Sequence, residues 1–74
     1  MSNRLANGTG LVLLVIAGYK ATPYCVLRAK TRMQERNIYR ALDALCSAAL
    51  VLRVGRSGRR VYVITESGRE MLAR

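Results

Sequence analysis

Residues 34–65 read QERNIYRALDALCSAALVLRVGRSGRRVYVIT, and their pattern switches from helix to strand part-way along. Ile38, Leu42 and Leu45 stand at i, i+4 and i+7, and Ala41 widens the stripe, which predicts an amphipathic helix over about 34–47. Projected at about 100° per residue, Arg36 and Arg40 lie nearly opposite that stripe, with Asn37 and Tyr39 on its flanks. Two β-branched runs follow, 51–54 and 60–64, separated by Gly55-Arg56-Ser57-Gly58-Arg59. A five-residue loop with two glycines between such runs predicts a β-hairpin.

The charge sits on these same elements. Residues 28–40 hold five basic side chains and one acid, and residues 53–60 hold four basic side chains and no acid. Each segment therefore nets +4, leaving +1 for the remainder of a chain whose total is +9. Charge gathered on a helix and an adjacent hairpin is the electrostatic footprint expected of a nucleic-acid binder. A helix of this kind fits the major groove of a duplex, and a basic hairpin can grip the flanking backbone.

Upstream, residues 1–9 are polar and predict a flexible N-terminal segment before a domain over 10–74. Residues 11–17 are uniformly apolar, so periodicity leaves helix and strand both open. Helix is preferred because the segments that follow need a helical partner. Thr22-Pro23 reads as a helix start, Thr as N-cap and Pro at the first helical position, opening a helix over about 23–30. Val26 and Leu27 would face inward, Arg28 and Lys30 would face water, and Met33 would plug the gap between helices. Thr65 reads as the cap of a last helix over about 66–72. The expected fold is mainly α with a small β-hairpin wing (α+β), in the order helix, helix, helix, strand, strand, helix.

Composition excludes several classes. Seventy-four residues make one domain, and 51% apolar content can fill its core without Trp or Phe. The chain has no His and two cysteines, Cys25 and Cys46. His-dependent catalysis and Cys/His metal sites are therefore excluded, and the cysteines read as small buried hydrophobes, with a disulfide or redox switch as the alternative. The acids Glu35, Asp43, Glu66 and Glu70 are scattered, so no enzyme, catalytic residue or cofactor is inferred. The longest apolar run, seven residues, is short of the ~20 a membrane helix needs. Asn7-Gly8-Thr9-Gly10 interrupts the order a signal peptide requires.

Three stretches carry a family likeness: T-R-M-Q-E-R-N-I-Y-R-A-L (31–42), L-D-A-L-C-S-A-A-L-V (42–51) and R-R-V-Y-V-I-T-E-S-G-R-E (59–70). In that order they resemble the winged helix-turn-helix domains of prokaryotic and viral transcription regulators, the core shared by MarR- and PadR-type proteins. Three positions depart from the family pattern. Arg32 stands where Gly usually closes the turn, and Arg28, next to Ala29, stands where a small residue usually packs. Ala49 stands where Gly usually ends the third helix, costing about 1 kcal/mol if φ is positive there.

The resemblance implies a sequence-specific double-stranded DNA-binding transcriptional regulator. Its recognition helix, about 34–47, would enter the major groove, and its basic wing, 55–60, would lie on the flanking backbone or minor groove. Arg36, Asn37 and Arg40 are the expected base contacts, since Arg suits guanine and Asn suits adenine. Thr22, Arg28, Lys30, Gln34, Tyr39, Arg53, Arg56, Ser57, Arg59 and Arg60 are the expected backbone contacts. Tyr39 is open between core edge and phosphate donor, and Arg53 could face either way along its strand. Tyr62 is expected inside the wing sheet, and Tyr19 and Tyr24 are core or surface filler. The alternative is a winged-helix architectural, recombination-accessory or protein-interaction module without operator specificity. No small-molecule effector and no membrane partner are inferred, and the expected location is cytoplasmic, nucleoid-associated, or host cytoplasm for a viral protein. One such helix reads too few base pairs for a unique site, so a homodimer is expected. Its interface would be built from residues 11–16 with Met71 and Leu72, because relatives of the MarR and PadR types use long extra helices and this chain offers only about two turns.

Overall fold

The helix predicted over 34–47 is α3, Glu35–Ser47, and the rest of the molecule is arranged around its buried stripe. In the computed structural model, which describes residues 8–56 and 58–74, Ile38, Ala41, Leu42 and Leu45 are all buried. Each fully buried Leu or Ile contributes roughly 1.5–3 kcal/mol relative to an exposed one. Against this stripe pack α1 (Thr9–Ala17), through Val12, Leu13 and Ile16, and α2 (Tyr24–Thr31), through Leu27. Val26 is only half-buried, so one of the two expected inward residues of α2 carries the contact. Met33 packs against the core between α2 and α3, as its place in the turn suggested.

The uniformly apolar segment is helix, and it begins at Thr9 rather than Leu11. Thr9 is buried, so it belongs to the folded unit and not to the segment expected to be flexible. Residues 1–7 of that segment lie outside the described residues.

The hairpin is β2 (Val51–Val54) and β3 (Val61–Ile64), antiparallel, with Val51 opposite Ile64 and Val54 opposite Val61. Val51, Tyr62 and Ile64 turn inward and are buried, whereas Leu52 and Val54 are exposed. Arg60, expected inside the second strand, precedes it. A third strand was not expected. Thr22–Pro23 forms β1, paired with β3 through Thr22 opposite Tyr62 and Pro23 opposite Val61, giving the sheet order β1-β3-β2. Thr22 is therefore not a helix cap; Pro23 holds the N-cap position of α2 with extended backbone, and no side chain caps it. Proline is tolerated here because β1 is an edge strand. The last helix, α4 (Glu66–Ala73), is capped as expected: the Thr65 hydroxyl accepts from the Gly68 N–H at 3.0 Å. The architecture is thus a small α+β domain of four helices and a three-stranded antiparallel sheet.

Both residues that stand where Gly is usual, at the turn and at the end of the third helix, have positive φ. Arg32 has φ 59° and Ala49 has φ 62°, where each side chain costs about 1 kcal/mol relative to Gly. Ala49 closes α3 by a paired turn: the Leu50 N–H donates to the Leu45 carbonyl at 2.9 Å and the Ala49 N–H to the Cys46 carbonyl at 3.0 Å. Thr65 then clamps that turn, its hydroxyl donating to the Ala49 carbonyl at 2.7 Å and its N–H to the Leu50 carbonyl at 3.0 Å. Gly68 sits directly beneath, where an added Cβ would meet the Leu50 carbonyl oxygen and lie 2.6 Å from Ile64 Cγ1.

Candidate nucleic-acid interface

Burying one stripe of α3 obliges the opposite face to meet solvent, and that face carries Arg36, Asn37 and Arg40, all exposed. Gln34 holds the N-cap position of α3 and is also exposed. Asp43 falls on the same outward face, three residues after Arg40, and is 72% exposed. Arg36 and Arg40 form no ion pair among the described residues, where Arg53–Asp43 is the only one. Two unpaired arginines one turn apart repel each other weakly on an isolated helix, by a few tenths of a kcal/mol.

Arg53 is corrected by its surroundings. Its position on β2 turns it towards α3, where Nη2 donates to Asp43 Oδ1 at 3.0 Å and the guanidinium lies 5.9 Å from the centre of the Tyr62 ring. The hydrogen bond to Asp43 raises its pKa. Arg53 is thus the counter-charge of an acid on the helix face in the free protein. Thr22 is corrected as well, since it is fully buried within β1 and no phosphate can reach it. Its Oγ1 has no hydrogen-bond partner among the described residues.

The remaining expected cations lie at the surface, apart from the half-buried Arg60. Arg28 and Lys30 are exposed in the last turn of α2, with Arg28 Nη1 3.5 Å from the Tyr24 hydroxyl. Arg56 and Arg59 are exposed on the hairpin loop. That loop turns through Gly55 at φ 96° and Gly58 at φ 90°, values that favour glycine. Ser57 lies outside the described residues.

Between the loop and α3 the chain forms a groove of about 420 Å³, lined by Tyr24, Cys25, Tyr39, Arg59, Arg60 and Tyr62 among others. Three elements build it: the first turn of α2, the flank of α3 and the strand leaving the loop. Tyr24 and Tyr39 stack in parallel across it, ring centres 5.1 Å apart and 4° from coplanar. Arg60 is half-buried, and its Nε is buried without an acceptor among the described residues. The Tyr39 hydroxyl is raised above the ordinary tyrosine value of 10.0, first by desolvation and then by Tyr62, Glu35 and Tyr24, so it remains a neutral donor near pH 7. A groove with buried cationic N–H and phenolic donors suits an oxygen anion.

The helix-face residues are therefore brought together as the sequence suggested, and Arg28, Lys30, Arg56 and Arg59 flank them. The groove and the tyrosine stack were missed. Tyr24 and Tyr39 are fifteen residues apart and no periodic signal links them, so Tyr24 read as filler. Cys25, expected to be buried, is exposed at the groove's edge because α2 starts one residue before it, while Cys46 is half-buried. Among the described residues no cluster of acids and cysteines could hold a metal, and no helix is long and apolar enough to cross a membrane.

No family model, curated protein or solved structure matches the chain.

Proposed function

We propose that this protein is a sequence-specific double-stranded DNA-binding transcriptional regulator with a winged helix-turn-helix fold. In this reading α2 and α3 form the helix-turn-helix and the β2–β3 hairpin is the wing. The observation that carries it is the outward face of α3, where Arg36, Asn37 and Arg40 are exposed and uncommitted to any acid among the described residues. An α-helix fits the major groove, and these side chains match base edges there, each bidentate pair discriminating by about 1–3 kcal/mol. The basic loop and the groove beside α3 support the same reading. They offer Arg56 and Arg59 on the loop, and the buried Arg60 Nε and the Tyr39 hydroxyl in the groove, as donors to backbone phosphates.

Electrophoretic mobility shift against rising salt, with a selected site and a random duplex, tests the proposal. Arg28, Lys30, Arg36, Arg40, Arg56, Arg59 and Arg60 are the cations this reading assigns to the duplex, Arg53 being paired with Asp43, and Arg32 at the turn before α3 can add one more. Displacing about one counterion each, they predict an affinity loss of roughly a thousand- to ten-thousand-fold between 50 and 200 mM salt. Salt-independent binding would refute nucleic-acid recognition. Equal affinity for selected and random duplexes would leave only the architectural alternative. The expected site of action is wherever the genome lies, the bacterial nucleoid or a virus-infected host's cytoplasm.

A further inference from the structure

We infer that the outward face of α1 binds a second copy of this chain, antiparallel, about a two-fold axis near Leu14. Helix α1 is apolar around its whole circumference, a composition normal for a helix covered on all sides. Among the described residues only one side is covered. Val12, Leu13 and Ile16 are fully buried, while Leu11 is 44% and Leu14 58% exposed. The expected dimer surface over 11–16 is thereby narrowed, because half of those side chains are already committed to the protomer's own core. At 100° per residue, Leu11, Leu14 and Gly18 fall on one stripe directly opposite the buried side. Gly18 is exposed, and a Cβ there would touch only the carbonyl of Val15, so the stripe ends in an open notch. The spacing makes the stripe self-complementary. Leu11 and Gly18 lie equally far from the midpoint, about 5 Å to either side along the axis. Antiparallel helices centred there set Leu11 over the partner subunit's Gly18, and the reverse, large side chain into notch on both sides. That reciprocity is the property a two-fold interface requires.

Charge selects the same occupant. Described residues 8–19 carry no charged side chain, in a protein of net charge +9. Two copies therefore meet with least repulsion on this face, whereas an acidic partner would be drawn to the arginines of α3 and the hairpin. The other exposed apolar pair, Leu52 and Val54, lies on the strand leading into Arg56, where two copies repel. Leu72, 36% exposed on α4, which packs beside α1, extends the patch. The face is small for a permanent dimer, which needs roughly 800 Å² per partner, so the association belongs in the micromolar range.

Sedimentation equilibrium of the full chain without DNA tests this independently of the DNA-binding reading. The wild type is expected at twice its 8.2 kDa, and more fully dimeric as salt rises, since salt screens the repulsion while leaving apolar contact in place. Leu14→Glu is expected at one protomer's mass with its helical circular dichroism retained and a melting temperature that no longer depends on protein concentration, because Leu14 is not part of the core. Should that variant unfold, Leu14→Cys in a Cys25→Ser, Cys46→Ser background serves instead. Treated with oxidised glutathione, it should give a disulfide-linked dimer on a non-reducing gel. A monomeric wild type at tens of micromolar, a dimer unaffected by Leu14→Glu, or no cross-link at position 14 would each overturn the proposal.

Discussion

Removing Asp43 should strengthen DNA binding, although it breaks the one ion pair among the described residues. Asp43 stands on the outward face of α3 with Arg36 and Arg40, and Arg53 is held against it at 3.0 Å. Asp43→Asn removes a negative charge from the face presented to phosphates and releases Arg53 from its partner. One extra cation engaging the backbone is worth about eightfold in affinity at 0.1 M salt, and it steepens the log–log salt slope by about 0.9. The stability cost is small, since exposed pairs contribute about 0–1 kcal/mol. Arg53→Ala should do the reverse, leaving Asp43 uncompensated and weakening binding. The double variant should return near the wild type, because the two charges act through each other. Fluorescence anisotropy with a random duplex at four salt concentrations reads all three proteins. The reasoning fails if Asp43→Asn binds more weakly than the wild type, or if Arg53→Ala leaves the affinity unchanged.

Four further outcomes follow from the same geometry. Arg36→Ala and Arg40→Ala should erase the preference for a selected site, by about 1–3 kcal/mol each, whereas Arg56→Ala and Arg59→Ala should weaken all duplexes alike; competition binding with selected and random DNA separates the two patterns. Gly68→Ala should lower stability by about 1–3 kcal/mol, because its Cβ has backbone above it and Ile64 beside it. Ala49→Gly should raise stability by up to about 1 kcal/mol by relieving φ 62°; thermal melting should shift roughly 4–8 °C per kcal/mol in each case. DNA binding should be flat from about pH 5.5 to 7, below the ordinary range of thiols and amines, since the chain has no His; Tyr39 keeps its proton beyond 10.0, and above that its anion would face both phosphate and Glu35, so affinity and the stability tied to the neutral form should fall together as pH rises.

The sequence made α3 legible because its buried stripe is a local, periodic property. Ile38, Leu42 and Leu45 fix the inward face, and Arg36 and Arg40 must then point away from it. Thr65 was legible for a similar reason, since a cap and the helix it opens are adjacent in the chain. Thr22-Pro23 was misread because its structure is decided by a partner forty residues later. The capping preference of Thr before Pro is real, yet pairing with Tyr62 and Val61 on the open edge of β3 overrides it, and α2 then starts without a side-chain cap. Arg53 was undecided for the same physical reason. Its direction follows from the register of β2 against β3, and its partner Asp43 lies ten residues away on another element. Tertiary contacts of this kind leave no period in the chain.

Arg32 joins the strain of the fold to its charge. It ends α2 at φ 59°, where Gly would be favoured by about 1 kcal/mol. Thr31 holds the turn, its hydroxyl donating to the Leu27 carbonyl at 2.6 Å and accepting from the Met33 N–H at 3.2 Å. The side chain itself is exposed and sits three residues before α3, so a positive charge stands at the positive end of that helix's dipole. The same charge stands at the negative end of α2, so the two dipole terms offset and the backbone term alone is clearly unfavourable in the free protein. A phosphate placed between Arg32 and the first turn of α3 would add a favourable term, since guanidinium and helix N–H groups would then share one anion. Arg32→Gly should accordingly stabilise the free domain while weakening its hold on DNA. Melting temperature and mobility shift, measured on one preparation, read the two effects separately. If the variant gains stability and loses no affinity, Arg32 has no part in binding and the turn is merely strained.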